Sequence, residues 1–328
     1  MMKKDFELVV LAAGKGKRLR PITLTRPKHA IRIGGKPLLH WTLDNIVDLK
    51  PRKIIVVVHY FEEKIREILR DKYRGIPVKY VRQREMRGTG DAVKCVEKEV
   101  DTDFLVIMGD VYVEKDGITK VVETGRKGEI AVGVTKVQNP WEYGVCILKN
   151  GGIVGIIEKP ERGKEPSNII LAGVYYFDKS IFEYLSKIEI SPRGEYELPD
   201  ALVLLAKDGR KIVPVELGGG WVDIGRPRDL LKANQRILET KCFRKQANII
   251  KPPVYIGKKS IIPRRGSLGP HVTIDEKVEI GDNCNIKNSI IMSNTIIEDN
   301  CEISGAIIGE DCQIEENSKI LGLSLIHI

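Results

Sequence analysis

The residues of this chain that are equipped for chemistry are cations, glycines and aspartates rather than nucleophiles. Leu11-Ala12-Ala13-Gly14-Lys15-Gly16-Lys17-Arg18-Leu19-Arg20-Pro21, followed by Arg26-Pro27-Lys28, gathers six cations around two glycines. Gly14 and Gly16 lack a Cβ and can turn backbone N–H groups toward an anion, so the stretch suits phosphate. It is not a P-loop, which needs Gly-x4-Gly-Lys-Ser/Thr. Nor is it a dinucleotide fingerprint, because Leu19 stands where the third glycine belongs. Arg82-Gln83-Arg84-Glu85-Met86-Arg87-Gly88-Thr89-Gly90 offers amide and backbone groups for a nucleobase edge, and Gly109-Asp110 and Trp221-Val222-Asp223-Ile224-Gly225 each set an aspartate beside an apolar run. Two such carboxylates suit one Mg²⁺, which takes a few carboxylates plus phosphate oxygens and water. Glu158-Lys159-Pro160 adds adjacent opposite charges at a strand end. The histidines at 29, 40, 59, 271 and 327 form no spaced set, which argues against a zinc centre or a Ser/His/Asp triad; His40 and His59 read as core-edge residues.

Positioning such groups takes a sizeable scaffold, and 328 residues suffice for about two domains. The formal charge of +9, with the excess concentrated near the N-terminal loop, favours anionic small molecules. Aromatic residues are 6% of the chain and form no basic and aromatic stripe, so nucleic acid is not an expected partner. Cysteines 95, 146, 242, 284, 301 and 312 contain no Cys-x-x-Cys pair, and reduced thiols in the cytoplasm are expected. Lys3-Lys4 and the apolar run after it are too short and too interrupted by Asp5 and Glu7 for a signal peptide. No segment reaches the roughly 18 apolar residues that would span a bilayer.

Strands are expected at Phe6 to Leu11, Lys53 to Val58, Val78 to Val81, Phe104 to Met108, Ile130 to Val137, Gly144 to Leu148, Ile153 to Glu158, Ile170 to Phe177 and Ile212 to Glu216. Helices are expected over Pro37 to Leu49, Glu62 to Tyr73, Asp91 to Glu99, Lys179 to Leu185, Leu198 to Lys207 and Arg228 to Glu239. Alternation of the two predicts a layered α/β domain over residues 1–238, with the first strands forming a parallel sheet. Such sheets bind ligands at the carboxyl ends of their strands, where the glycine loop, Gln83 and Asp110 all fall.

Beyond a connecting segment, 239–253, the period changes. Ile256, Ile262, Leu268, Ile274, Ile280 and Ile286 recur every six residues; after one-residue slips come Ile291, Ile297 and Ile303, then Ile308, Ile314 and Ile320. The residue two places before each is small or β-branched, Cys284, Cys301 and Cys312 among them. A hexapeptide period of this kind marks a parallel β-helix, left-handed in type, here over residues 254–322, with those cysteines in small interior corners. Leu323-Ser-Leu-Ile-His-Ile328 abandons the polar turns. The expectation is a truncated solenoid with a non-native tail at 323–328.

In order and combination these motifs resemble the sugar-1-phosphate nucleotidylyltransferases (NDP-sugar pyrophosphorylases), particularly archaeal bifunctional members with a C-terminal left-handed β-helix. The resemblance rests on Leu-Ala-Ala-Gly-x-Gly-x-Arg, Arg-Pro-Lys, Gln83 with Gly88-Thr89, Gly109-Asp110, Tyr143-Gly144, Glu158-Lys159-Pro160 and Trp221-x-Asp223-x-Gly225. It implies an α/β, Rossmann-like nucleotidyltransferase domain with a mixed, largely parallel sheet. Leu11, Ala12, Ala13, Gly14, Gly16, Gln83, Gly88 and Thr89 would bind the nucleotide, Arg18 and Lys28 would contact its phosphates, and Asp110 and Asp223 would ligate Mg²⁺. Gly144, Glu158, Lys159 and Gly173 would hold the sugar phosphate.

The implied reaction joins a sugar 1-phosphate to UTP or dTTP and releases pyrophosphate, with UDP-N-acetylglucosamine or UDP/dTDP-glucose as the expected products. Leu171-Ala172 replaces the Asn-Thr of bacterial N-acetylglucosamine-1-phosphate uridylyltransferases and removes an amide contact to the sugar. The double alanine before Gly14 is more similar to uridylyl- and thymidylyl-transferring members than to guanylyltransferases. Alternatives are a mannose-1-phosphate guanylyltransferase or a non-catalytic regulatory subunit with the same domain pair. A homo-oligomer assembled through flat β-helix faces is expected. An added acyltransferase is not, since His271 is the repeat's one histidine and lies in a Gly-Pro turn.

Overall fold

A computed structural model describes residues 5–240 and 248–326, with the side chains of 323–326 left aside. Cys242, His327, the dilysine at the start, much of the connecting segment and the end of the suspected tail therefore lie outside the described residues. The chain divides into two compact units. One comprises residues 1–15 and 42–221, the other 16–41 and 222–328.

The first unit is built on a ten-stranded mixed sheet. Phe104–Met108, Glu7–Leu11, Ile54–Val58 and Ile76–Arg82 lie side by side and parallel, in that order. Ile54–Val58 is β-branched throughout and wholly buried, as a strand covered on both faces must be. Ile169–Phe177 then runs antiparallel to Phe104–Met108 and also pairs with Ile130–Lys136 and the hairpin Gly144–Lys149/Gly152–Glu158. The core between sheet and helices draws on Val9, Val57, Phe104, Val132, Phe177, Leu198 and Leu202.

Several element limits differ from expectation for local reasons. The helix expected to run to Tyr73 is Glu62–Leu69, because Arg70 leaves helical geometry and Lys72–Tyr73 turns through Arg74 and Gly75, both with positive φ, into Ile76–Arg82. The helix expected over Pro37 to Leu49 is Leu38–Asp44 followed by a separate turn, Val47–Leu49, and that expected over Asp91 to Glu99 is Thr89–Lys94. Helix Lys115–Gly125 was not anticipated. Its buried Ile118, Val121, Val122 and Gly125 have helical spacing, but two are β-branched valines and one is a glycine, whose Cβ would stand 2.1 Å from the Tyr176 ring. Strands Val111–Val113 and Trp221–Asp223 are three residues each, below the length that patterning detects.

The second unit contains helix Pro227–Thr240 and a left-handed parallel β-helix. The hexapeptide aliphatics stack in three columns: Ile256, Ile274, Ile291 and Ile308; Leu268, Ile286, Ile303 and Ile320; Ile280, Ile297 and Ile314. Cys284, Cys301 and Cys312 are buried in the corners. The residue just before most of the small corner positions has positive φ: Lys259, His271, Lys277, Asn283, Asn288, Asn294, Asn300, Asp311 and Asn317. Asparagine dominates because its short amide tolerates the left-handed region. Among the described residues, no helix is long and apolar enough to cross a membrane.

Candidate active site

In the first unit the predicted nucleotide residues emerge from one edge of the parallel sheet. Register pairs Leu11 with both Val57 and Met108, so Ala12 to Gly14, His59, Gln83 and Asp110 all follow carboxyl ends of adjacent strands. Backbone bonds hold that edge: Ala12 N–H donates to Val57 O at 2.8 Å, Gly109 N–H to Leu11 O at 2.9 Å and Gln83 N–H to Val58 O at 2.9 Å. An added Cβ on Gly14 would meet nothing within 4 Å, so the backbone there is open to a ligand.

Gln83 is 3% exposed, and its amide is held in one orientation. Nε2 donates to Gly88 O at 3.1 Å and to Asp91 Oδ2 at 2.9 Å, which uses both of its hydrogens. His59 Nδ1 lies 2.8 Å from Gln83 O and therefore carries the proton on that nitrogen. Gly88 has φ +111°, and a Cβ there would stand 2.5 Å from Tyr196 O, so no side chain fits. Thr89 Oγ1 accepts from Leu198 N–H at 3.0 Å and fixes the loop to the start of helix Leu198–Lys207.

Gly144 and Glu158 are direct partners in the antiparallel hairpin, and a Cβ at 144 would be 2.8 Å from Glu158 Oε2. Lys159 follows with φ +47°, its N–H on Tyr143 O at 2.9 Å. Gly173, φ +74°, occupies the register shift in Ile169–Phe177, where a Cβ would press on Met108. Trp221 Nε1 donates to Ala172 O at 2.9 Å just before it.

Sequence reasoning missed Arg193, Glu197 and Asp200. Arg193 Nη1 bridges Glu158 Oε1 at 3.1 Å and Glu197 Oε1 at 3.0 Å, and these residues with Lys159 and Asp200 line a cleft of about 620 Å³. Burial pushes the Glu158, Glu197 and Asp200 carboxyls above the usual range; at Glu158, Lys159 and Arg193 oppose it, and at Glu197, Arg193 does. The available signal was a run of acids around Pro199, which locally reads as an ordinary helix start.

Gly16, Arg18, Lys28 and Asp223 belong to the second unit. Gly16 has φ +61° and its carbonyl accepts from Thr23 Oγ1 at 2.9 Å, closing the turn that presents exposed Arg18. A Cβ on Gly225, two residues past Asp223, would lie 2.9 Å from Arg18 Nη2; glycine at that position leaves room for the guanidinium. Lys28 is buried, 9% exposed. Arg26, grouped by sequence with the phosphate-facing cations, instead pairs with Glu310.

Among the described residues no three His, Cys, Asp or Glu side chains gather as a metal cluster. Magnesium does not need one, since one or two carboxylates plus phosphate oxygens and water complete its shell. The half-buried carboxylates of Asp110 and Asp223 are hard oxygen donors of the right kind.

A glycine turn with open backbone and a loop lined by a clamped amide, both at the carboxyl edge of a mixed, largely parallel sheet, are the arrangement of an enzyme class that handles nucleotides. Residues 7–240 match the family model described as Nucleotidyl transferase and residues 250–327 one described as GMPPB C-terminal domain, and the chain belongs to the nucleotidyl transferase family. It is 38% identical over 315 residues to "Bifunctional protein GlmU" of Methanocaldococcus jannaschii, covering 89% of this chain and 74% of that protein. Identity to "UTP--glucose-1-phosphate uridylyltransferase AglF" of Haloferax volcanii is 39% over 238 residues, 71% of this chain and 97% of the relative. Among solved structures, a putative glucose-1-phosphate thymidylyltransferase from Bacillus anthracis superposes with TM-score 0.65 at 25% identity, covering 74% of this chain and 98% of that one.

Proposed function

We propose that this chain is a Mg²⁺-dependent sugar-1-phosphate nucleotidylyltransferase that joins a sugar 1-phosphate to UTP or dTTP and releases pyrophosphate. The observation that carries the reading is the shared carboxyl edge of the parallel strands, where the open backbone at Gly14, the clamped Gln83 amide and Asp110 stand together. With both Nε2 hydrogens engaged, Gln83 turns Oε1, an acceptor, to the base. An acceptor matches the imide N–H of uracil or thymine and opposes cytosine, whose corresponding nitrogen is also an acceptor. Relatives named for uridylyl and sugar-1-phosphate nucleotidylyl transfer support the same class.

In this reading the sugar-phosphate oxygen, already anionic, attacks the α-phosphorus in line, so alignment and charge neutralisation carry the rate. Leu11 to Gly14, Gln83, Gly88 and Thr89 bind the nucleoside. Gly16 bends the loop so that Arg18 meets the β- and γ-phosphates and supports the leaving pyrophosphate, and Lys28 contacts the reacting phosphates. Gly144, Glu158 and Gly173 face the sugar, and Lys159 pairs with its phosphate. Asp110 and Asp223 would hold Mg²⁺, which supplies Lewis-acid neutralisation of phosphate charge. UDP-N-acetylglucosamine and UDP- or dTDP-glucose are the favoured products; the enzyme works in the cytoplasm as a homo-oligomer.

The test is pyrophosphate release across UTP, dTTP, GTP and CTP with several sugar 1-phosphates. A preferred pair containing UTP or dTTP is expected, and Asp110→Asn should reduce its turnover by at least about a hundredfold, a typical scale for losing one electrostatic element of a site. Full activity in that variant, or preference for CTP, would overturn the assignment.

A further inference from the structure

The segment Gly16–Trp41, which carries Arg18 and Lys28, lies in the same compact unit as the β-helix, and two of its arginines are committed to β-helix carboxylates. Arg26 meets both oxygens of Glu310 through Nη1 and Nη2. Arg32 Nε lies 3.1 and 3.0 Å from the two oxygens of Asp275, a side chain only 2% exposed, and Arg32 Nη2 lies 3.3 Å from Glu276. Gly34 N–H donates to Thr273 Oγ1 at 3.0 Å, and that hydroxyl donates to Asn234 Oδ1 at 2.6 Å. Tyr255 occupies the space beside Gly35, where a Cβ would stand 2.2 Å from its ring.

These contacts do more than anchor a loop. A fork-on-fork arginine–carboxylate pair fixes direction as well as distance. Arg26 is joined to Lys28 through Pro27, whose ring restricts φ, here −68°, and Lys28 opens the short 3₁₀ turn Lys28–Ala30. Movement at Arg26 is therefore passed to the Lys28 backbone with little slack. Glu310 sits two residues after Ile308, which is in parallel register with Ile291 of the preceding coil, so its own position is set by the solenoid.

We propose that Glu310 is a positioning residue for nucleotidyl transfer: through Arg26 and Pro27 it fixes the backbone of Lys28, so that the β-helix bears on how Lys28 acts. The proposal rests on the role given above to Lys28.

The test compares Glu310→Gln, Glu310→Asp and Arg26→Lys with Lys28→Ala and with Glu279→Gln, an exposed carboxylate on the same solenoid. Steady-state kinetics are read for each substrate separately, alongside melting temperature. E310Q and R26K should lose about tenfold in kcat/KM for the nucleotide, less than the roughly hundredfold that a full ångström of misplacement costs. The KM for sugar 1-phosphate should stay within about twofold, E310D should recover part of the loss, and E279Q should match wild type. Wild-type nucleotide kinetics in both E310Q and R26K would overturn the coupling. Equal losses for both substrates in step with a lowered melting temperature would do so too, by showing a structural role. A fully active K28A would overturn the role of Lys28 itself, whereas an inactive K28A beside an unaffected E310Q would overturn only the coupling. If E310Q does not fold, R26K keeps the charge, loses the fork and gives the same readout.

Discussion

At the scale of single residues, the site is distinguished by where side chains are missing and by which charges are already used. Gly88, Gly144 and Gly173 lie where a Cβ would strike Tyr196 O, Glu158 and Met108, so they shape the site sterically. Glu158 is the residue whose titration should be visible. Burial holds its carboxyl above the ordinary value even though Lys159 and Arg193 pull the other way. Because the folded pKa is raised, the stability it contributes is full below the unfolded value and is lost as pH rises through the folded one. Activity runs in the opposite sense, since an ionised carboxylate is the better acceptor for sugar hydroxyls. We expect kcat/KM for the sugar 1-phosphate to climb with pH along an acid limb above the usual glutamate range, and Glu158→Gln to lack it. The sugar phosphate's own ionisation is common to both proteins, so parallel pH profiles would remove Glu158 from this role.

At the scale of elements, the β-helix shows how a short repeat specifies an architecture. Each coil needs an aliphatic to stack, a small residue for the corner and a residue able to hold positive φ just before it. Asn294 has φ +59° and donates Nδ2 to Asp311 Oδ1 one coil on, at 3.0 Å. Asn294→Ala should cost about 1–2 kcal/mol, the left-handed penalty for an ordinary residue, and Asn294→Gly less because only the ladder bond is lost. Chemical denaturation of the two variants checks the order; an equal cost would show that the hydrogen bond, not the backbone, sets it. The sheet's elements were legible where apolar runs were long, as in Ile54–Val58. Helix Lys115–Gly125 was not, because valines and glycines at its buried positions disguise the helical period.

At the scale of the whole molecule, a formal charge of +9 meets a substrate carrying several negative charges. Lys15, Lys17 and Arg20 are exposed on the N-terminal loop, while Arg26 is engaged with Glu310. Exposed charges act at long range and are screened within about 8–10 Å at ordinary salt. The nucleotide kcat/KM should therefore fall as salt rises from about 0.05 to 0.5 M, a span over which the Debye length shrinks severalfold. Replacing Lys15, Lys17 and Arg20 with glutamine should flatten that slope while leaving kcat nearly unchanged. A slope identical to wild type would assign these three no part in attracting substrate.

The class of fold, the hexapeptide solenoid and the motif residues were legible along the chain, because periodicity and glycine spacing are local properties that a linear chain displays. The sequence could not show that Arg193 joins Glu158 to Glu197, that Asp91 orients Gln83, or that Arg26 is spent on a glutamate 284 positions away. Those pairings depend on which surfaces the folded backbone brings within hydrogen-bond range. A charge read along the chain has no partner until folding supplies one, so sequence grouped Arg26 with the phosphate cations and tertiary structure gave it to the β-helix.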